Sequence, residues 1–243
     1  MPAPITPLPS MRPAPSVLYI VGGSFDPPHR LHRLAPACVA EHLGLGPWRL
    51  LFVPAARNPL KAQGPIAEDK DRVAMVRALA KSTPRAGVWT DEIDRAAWSR
   101  ERGRAGPSYT IDTVRRLRRL AGRAVRLRLL IGADQALAFH RWKDAKEVVR
   151  IAPPLVMPRE GIAGPLDIAV ALRADKEAAA FWGPAMLGWW AMRLAPSPFV
   201  EHSSTTMRRL LGGTAAQRTK ALNELPREVA RLIERRGLYK ESR

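Results

Sequence analysis

The sequence is poor in cysteine, in long apolar segments and in acidic residues, and each shortage excludes a class of protein. Cys38 is the single cysteine, so the chain cannot form an internal disulfide, a cysteine zinc cluster or a CxxC redox pair. No apolar run approaches the ~18 residues that span a bilayer, and residues 1–16 lack the apolar stretch of a secretory signal. We therefore expect a cytoplasmic protein that is not inserted in a membrane.

Acidic side chains are outnumbered by basic ones. The 243 residues include 22 Asp and Glu against 40 Lys and Arg, a formal net charge of +18. Such a chain attracts polyanions, namely nucleic acids, anionic lipid or phosphorylated small molecules. Seven arginines lie between Arg115 and Arg128 with no aromatic residue among them, which weakens the case for a platform for single-stranded nucleic acid. A hydrophobic fraction of 46% predicts a large buried core.

The pattern of the chain predicts a leader and one globular domain. Proline-rich residues 1–16 are expected to be flexible or polyproline-like, and residues 17–243 to form the domain. Apolar runs typical of strands buried on both faces cover residues 17–21, 49–54, 128–132 and 154–157. Helical patterns cover residues 29–43, 68–82, 108–121 and 134–150. This alternation predicts an α/β fold, a Rossmann-like, doubly wound and mainly parallel sheet flanked by helices.

The remaining third of the chain is less regular. Residues 161–188 lack clear periodicity and predict an irregular connection. Residues 189–194 predict one more strand, and residues 203–211 a short helix. A final amphipathic helix is expected over residues 226–236, with a proline in its first turn.

The first motif that carries chemistry runs from Gly22 to His32, at the end of the first predicted strand, where ligands bind in open α/β sheets. Two glycines let the backbone approach a ligand closely. Asp26 precedes a proline and suits a helix N-cap, while His29 and His32 share one face of the opening turn. A helix N-terminus with two imidazoles is typical of a phosphate site, although a plain turn with two surface histidines is the alternative.

The second motif is a run of four hydroxyl residues, Ser203 to Thr206, followed by Arg208. Such a run caps a helix, and it places Arg208 one turn beyond Ser204 on the same face. Hydroxyl, amide and guanidinium groups together can hold phosphate oxygens. The alternative is an ordinary capped helix.

These two motifs resemble the nucleotidyltransferase superfamily with the histidine-x-glycine-histidine motif, and within it the bacterial nicotinate-nucleotide adenylyltransferases. The resemblance runs from about residue 17 to residue 239. Its other matching segments are Phe52 to Lys61, Ser108 to Thr113, Ile131 to Asp134 with Trp142 eight residues on, and Leu225 to Tyr239.

The resemblance implies transfer of AMP from ATP to nicotinate mononucleotide, giving deamido-NAD and pyrophosphate by in-line attack without a covalent enzyme intermediate. Mg²⁺ would travel on the triphosphate, and no metal bound by the protein is expected. By the same resemblance the catalytic residues are His29, His32 and Arg208, and Lys61, Thr110 and Trp142 bind the acceptor. The implied ATP-binding residues are Gly22, Gly23, Ser24, Phe25, Gly132, Asp134, Ser203, Ser204 and Thr205.

Two positions depart from the family pattern. Leu31 stands where the motif has glycine, and Pro36 lies inside the following helix, which predicts a bend or a break there. The alternatives are an adenylyltransferase for nicotinamide mononucleotide or phosphopantetheine, a member that binds nucleotide without turnover, and a basic nucleic-acid-binding protein. A tRNA synthetase would share the histidine motif, but 243 residues leave little room for an anticodon-reading domain. The sequence predicts no oligomeric state.

Overall fold

The first apolar run forms β1 (Val17–Gly23), the central strand of a five-stranded sheet. The other strands are β2 (Trp48–Pro54), β3 (Ala86–Val88), β4 (Arg126–Gly132) and β5 (Pro154–Met157). They lie in the order β3-β2-β1-β4-β5, and every pair is parallel. This computed structural model describes residues 3–44, 46–57, 59, 64–104, 106–159, 161–162, 164–196 and 203–240.

Helices connect the strands and cover both faces of the sheet. Those before β4 are α1 (Arg30–Leu43), α2 (Asp69–Lys81), α3 (Asp91–Arg100) and α4 (Thr110–Ala121). Between β4 and β5 lie α5 (Ala133–Leu137), a 3₁₀ turn (Phe139–Arg141) and α6 (Ala145–Ile151). After β5 follow α7 (Pro165–Ala174), α8 (Lys176–Ala191), α9 (Ser204–Gly212), α10 (Ala215–Glu224) and α11 (Arg227–Arg236).

The sheet separates two apolar cores. Tyr19 and Val21 face the core that α1, α2 and α9 to α11 cover, whereas Leu18 and Ile20 face the core under α4 to α8. All four side chains are at most 3% exposed. Burial on both faces explains why β1 is a continuous apolar run rather than an alternating one. The predicted fold class is confirmed.

Two predicted elements between residues 134 and 188 are wrong. The helix expected over residues 134–150 is interrupted because Trp142 is extended and Asp144 adopts a left-handed conformation with φ of 51°. The irregular connection expected over residues 161–188 is instead α7 and α8. Asp175 caps α8 by accepting from the backbone N–H groups of Glu177 and Ala178 at 3.0 and 3.1 Å.

The strand expected over residues 189–194 is also wrong. Trp189 to Ala191 end α8, and only Leu194 pairs with the sheet, through an isolated bridge to Val156. The sequence pattern did not indicate a helix here because α8 carries apolar residues around much of its circumference, including buried Trp182 and Trp190. It therefore lacks the simple amphipathic period of a surface helix. The sequence analysis did not predict β3, α3 or α10.

The proline-rich leader has no regular helix or strand over residues 3–16, apart from a bend, and it contacts the domain. The Thr6 backbone N–H donates to Asp91 at 3.0 Å, and the Thr6 carbonyl accepts from the Trp89 indole at 2.9 Å. These bonds join the leader to the start of α3. The division of the chain into a leader and one domain stays a prediction.

Candidate active site

The carboxyl ends of the central strands open onto a cavity of about 800 Å³. Its walls come from the ends of β1, β2 and β4 and from the amino ends of α1, α4, α5 and α9. Helix N-termini present unpaired backbone N–H groups and a partial positive charge. Four of them around one cavity favour an anionic ligand with several phosphate or carboxylate groups.

The cavity brings together all but one of the site residues expected from the sequence. Lys61 lies outside the described residues. The residues that line the cavity are Gly22, Gly23, Ser24, Phe25, His29, His32, Thr110, Gly132, Asp134, Trp142, Ser203, Ser204, Thr205 and Arg208.

The two histidines are held in one arrangement at the start of α1. The His29 backbone N–H donates to Nδ1 of His32 at 3.1 Å, and the two rings lie 4.0 Å apart. The Phe25 ring packs against His32 with centroids 4.9 Å apart. Because Nδ1 of His32 accepts, the proton of the neutral ring sits on Nε2. His32 therefore offers one N–H donor.

The His32 imidazole is held neutral. Burial lowers its pKa well below the usual range, and the nearby positive charges of His29 and Arg159 lower it further. A neutral ring cannot supply charge to a phosphate, but it can donate a hydrogen bond from Nε2. The hydrogen-bonding role is therefore the one that the structure supports for this side chain.

Asp26 does not cap α1, contrary to the expectation from the sequence. His29 occupies the N-cap position, and the Asp26 carboxylate accepts from the backbone N–H groups of Ile66 and Ala67 at 2.8 and 3.1 Å. Its Oδ1 also accepts from the Tyr239 hydroxyl at 2.7 Å. Asp26 is 2% exposed, so a carboxylate there needs these partners. It fixes the histidine loop to the segment before α2 and to the end of the chain.

The start of α9 docks directly on the histidine loop. Arg208 donates to the Asp26 carbonyl at 2.7 Å, and the Ser204 hydroxyl donates to the Pro27 carbonyl at 3.0 Å. The Ser203 hydroxyl caps the helix by accepting from the Thr206 N–H at 3.1 Å. The serine and arginine expected at a phosphate site thus also position the loop that carries His29.

Arg72 is a residue of this region that the sequence analysis missed. Its guanidinium is fully buried and donates to the carbonyls of Ser24 and Ala55, both at 2.7 Å, and to Asp69 at 2.6 Å. It ties the loops after β1 and β2 to α2. An arginine inside a helix pattern gives no signal of this role, because its carbonyl partners are distant in sequence.

The glycines at the carboxyl ends of β1 and β4 differ in what surrounds them. A Cβ on Gly22 would meet no protein atom within 4 Å, and one on Gly23 would make ordinary contact with Phe25 at 3.6 Å. A Cβ on Gly132 would lie 2.5 Å from Oδ1 of Asp134. That oxygen is the end of a flexible side chain that can shift, so packing alone does not require glycine at position 132. Gly22 borders open space in the cavity.

An aromatic side chain and a helix N-terminus form another part of the wall. Trp142 stacks on Phe139 with centroids 4.3 Å apart and planes at 21°. Its indole nitrogen is buried and has no hydrogen-bond partner among the described residues. Thr110 is the first residue of α4, and Tyr109 rather than Thr110 occupies the N-cap position.

A buried carboxylate supports this part of the wall and was also missed. Glu92 is 8% exposed and accepts from the Ala56 N–H and the Thr113 hydroxyl, each at 3.3 Å. Burial raises its pKa, which the nearby Arg95 opposes. Glu92 joins the loop after β2 to α4, and nothing in the sequence pattern marks it.

The structure accommodates both departures from the family motif, Leu31 and Pro36, within α1. Leu31 is 2% exposed and belongs to the core that includes Phe25 and Ala35, while it also lines the cavity. Helix α1 continues through Pro36 to Leu43, so the predicted break does not occur.

A cluster with metal-ligand spacing lies outside the cavity lining. In the described part of the chain, His140, Asp175 and Glu177 place one potential ligand atom each within 4.8 Å of the others. The Arg141 guanidinium already lies among them, 3.4 Å from Glu177 and 3.2 Å from the His140 ring. Over the same residues, no helix is both long and apolar enough to cross a membrane.

Comparisons with known proteins agree with this geometry. The sequence model of the Cytidylyltransferase-like family matches residues 20–210. A relative from Ruegeria pomeroyi is 33% identical over 83% of this chain and 89% of its own length. One from Thermoanaerobacter is 30% identical over 92% of this chain and 94% of its own length. Both are named "Probable nicotinate-nucleotide adenylyltransferase".

Solved structures show the same fold. The nicotinic acid mononucleotide adenylyltransferase of Plasmodium falciparum complexed with NaAD gives a TM-score of 0.60 at 12% identity, over 92% of this chain and 97% of that one. The same enzyme complexed with APC gives 0.57 at 14% identity, over 92% and 96%. The family match and the two relatives, each matched over most of its length, show that the chain belongs to the nicotinate-nucleotide adenylyltransferase group of the Cytidylyltransferase-like family.

Proposed function

We propose that the chain transfers AMP from ATP to the 5′-phosphate of nicotinate mononucleotide, giving deamido-NAD and pyrophosphate for NAD biosynthesis in the cytoplasm. The observation that carries the proposal is the single cavity lined by the histidine pair, the start of α9 and Trp142. The histidine pair and the start of α9 suit phosphate groups, and Trp142 suits a flat ring. The names of the relatives support the same reaction.

The chemistry requires a bond change at one phosphorus atom. An oxygen of the acceptor phosphate attacks the α-phosphorus of ATP, and the bond from that phosphorus to the pyrophosphate oxygen breaks. Negative charge grows on the departing pyrophosphate, so catalysis consists of in-line positioning and charge stabilisation. No side chain needs to form a covalent bond.

The described residues supply donors for that charge. His32 would donate from Nε2 to a phosphate oxygen, and the backbone N–H groups at the start of α9 would hold the departing pyrophosphate with Arg208. Arg208 keeps one nitrogen on the Asp26 carbonyl, which fixes the direction of its remaining N–H groups. His29 lies against His32 at 4.0 Å and would face the same phosphates.

Magnesium fits this site as part of the nucleotide substrate. Of the two carboxylates that line the cavity, Glu92 is engaged by backbone and hydroxyl donors and Asp134 lies 3.8 Å from Arg159. The described residues thus offer phosphate donors rather than a cage of carboxylates. Mg²⁺ on the triphosphate would neutralise part of its charge, and Gly22 to Phe25 with Gly132, Asp134 and Thr205 would hold the nucleotide.

Selection of nicotinate over nicotinamide would depend on α4. The carboxylate of the pyridine ring would face the N-terminus of α4 at Thr110, where an anion is favoured over a neutral amide. Trp142 would stack on the ring with the face opposite Phe139. Lys61 is proposed for the acceptor phosphate from the family resemblance alone.

The test is pyrophosphate release from MgATP with nicotinate mononucleotide, nicotinamide mononucleotide and phosphopantetheine compared side by side. We expect nicotinate mononucleotide to give the fastest turnover. Trp142→Ala should raise its KM, whereas Trp98→Ala, a change outside the cavity lining, should not. Faster turnover with another acceptor would reject the acceptor assignment, and ATP binding without turnover would favour an inactive member of the family.

A further inference from the structure

Four lysine or arginine side chains line the cavity in the part of the chain that the structure describes, namely Arg141, Lys143, Arg159 and Arg208. Three of them have partners within the protein. The Arg141 guanidinium lies 3.4 Å from the Glu177 carboxylate. That of Arg159 lies 3.8 Å from Asp134, and Arg208 donates to a backbone carbonyl of the histidine loop at 2.7 Å. The fourth, Lys143, forms no ion pair with a described carboxylate, so its charge is available to a ligand.

The carboxylate that follows Lys143 in the chain is already engaged. The Asp144 side chain lies 3.2 Å from Arg115 of α4, and its backbone turns away with a φ of 51° at the N-cap of α6. Lys143 immediately precedes this turn and is exposed. A positive charge that no neighbouring carboxylate neutralises raises the potential of the cavity wall, which favours an anion there.

An aromatic ring places the Lys143 ammonium at the start of α4. Its Nζ lies 4.5 Å from the centre of the Tyr109 ring, a contact in which the ring face attracts the cation. Tyr109 also lines the cavity, occupies the N-cap position of α4 and precedes Thr110, the first residue of that helix. The ring covers one side of the ammonium, and the remaining N–H groups can donate to a ligand. A full positive charge and a helix N-terminus therefore lie in the same part of the wall.

The position of Lys143 relative to Trp142 indicates which anion it meets. Lys143 follows Trp142 directly in the chain, and the Trp142 ring, with one face on Phe139, is the surface proposed for the pyridine ring. The phosphate groups of the substrates are assigned to other walls of the cavity, at the starts of α1 and α9. The anion expected beside Trp142 is therefore one carried by the flat ring itself, which is a carboxylate.

We propose that the Lys143 ammonium pairs with the carboxylate of the pyridine ring and is the side chain by which this protein prefers nicotinate to nicotinamide. The inference rests on the proposed function and names the residue that determines its acceptor specificity. A helix N-terminus carries about half an elementary charge, whereas the ammonium carries a whole one. Lys143 therefore supplies the larger part of the discrimination between a carboxylate and a neutral amide.

The experiment compares the affinities of the full chain for deamido-NAD and NAD by calorimetry. These two ligands differ only in the carboxylate or amide on the pyridine ring, and their binding requires no turnover. The test variant is Lys143→Gln, and Lys143→Arg keeps the charge. The matched control is Lys146→Gln, because Lys146 is also exposed and lies over an aromatic ring, that of Phe181 at 4.8 Å, but outside the cavity lining.

We expect the parent protein to bind deamido-NAD more tightly than NAD. Lys143→Gln should weaken the binding of deamido-NAD about tenfold and leave that of NAD unchanged, since a hydrogen bond between charged groups is lost with the first ligand only. The arginine variant should keep most of the preference, and Lys146→Gln all of it. Because Lys143 is exposed, the preference of the parent should decrease as the salt concentration rises.

Three results would overturn the assignment of Lys143. Equal weakening of both ligands would place the ammonium on a phosphate, a loss of preference in Lys146→Gln would reduce the effect to net charge, and a parent without preference would leave no discrimination to explain. Turnover of nicotinate mononucleotide with MgATP is measured separately. Absent turnover, together with a preference for deamido-NAD that Lys143→Gln removes, would reject the proposed reaction while supporting the role of Lys143.

Discussion

The hydroxyl of Tyr239 donates to Oδ1 of Asp26 at 2.7 Å, joining residues 213 positions apart in the sequence. This bond ties the end of the described chain to the loop that leads to His29. Asp26 keeps two backbone donors without it, so the loop should remain formed when the hydroxyl is removed.

Tyr239→Phe should therefore lower the free energy of unfolding by about 1.5–3 kcal/mol, the value of a hydrogen bond to a charged group, with little loss of turnover. Urea unfolding of both proteins measures it. Tyr19→Phe is the matched control because its buried hydroxyl has no partner among the described residues, and it should cost nothing. Equal destabilisation by the two changes would show that the Asp26 bond contributes nothing specific.

Local sequence patterns predicted the parts of the site that lie at the start of helices. The glycines that end β1, the histidine pair and the hydroxyl run before Arg208 are contiguous motifs, and the structure brings them to one cavity. The sequence analysis gave Asp26 the wrong role, as an N-cap, and missed Arg72 and Glu92, because all three bind backbone groups of segments that are distant in sequence. Helix α8 was not predicted because its apolar residues do not lie along one face of the helix.

His32→Ala and Arg208→Ala should each lower the rate of adenylyl transfer by roughly 10²–10³, because the proposed mechanism has both side chains donate to charge that grows in the transition state. Steady-state kinetics with MgATP and nicotinate mononucleotide measure the loss. His42→Ala, at the exposed end of α1, serves as the control and should keep full activity. A folded variant of His32 or Arg208 within about threefold of the parent rate would reject its role.

The pH dependence of stability should report the neutral state of His32. Its pKa is lowered in the folded protein from the ordinary 6.5, so the unfolded chain binds a proton that the folded chain does not. The contribution of His32 to the free energy of unfolding is therefore fully present above about pH 6.5. It decreases as the pH falls from there toward the lower pKa of the folded state. His32→Asn, which can still accept from the His29 N–H, should show a smaller decrease in melting temperature between about pH 7.5 and pH 5. Parallel curves for the two proteins would contradict the lowered pKa.

Gly22→Ala should weaken ATP binding without destabilising the fold. A Cβ there meets no protein atom within 4 Å, so the only space it takes belongs to the cavity. Gly188→Ala is the matched control, because that position is equally open and lies in α8, away from the cavity lining. It should leave ATP affinity unchanged and raise stability by about 0.5–1 kcal/mol through helix propensity. Unchanged ATP affinity in the Gly22 variant would place the nucleotide elsewhere.

Leu31 tests how this chain accommodates its departure from the family motif. The side chain is 2% exposed and packs in the core with Phe25, while Phe25 in turn packs on His32. Leu31→Gly should thus leave a gap beneath the histidine pair. We expect a loss of about 3–5 kcal/mol for the cavity and ~1 kcal/mol more for glycine in a helix.

ATP affinity should fall along with stability, because the Phe25 and His32 rings lose the side chain that holds them in place. Calorimetry with ATP and melting temperatures for Leu31→Gly and Leu31→Ala separate the two effects, since alanine keeps the helix propensity and removes most of the packing. We expect both variants to bind ATP more weakly than the parent. Tighter binding by the glycine variant would instead show that the isobutyl group intrudes on the nucleotide, and that α1 has not made room for it.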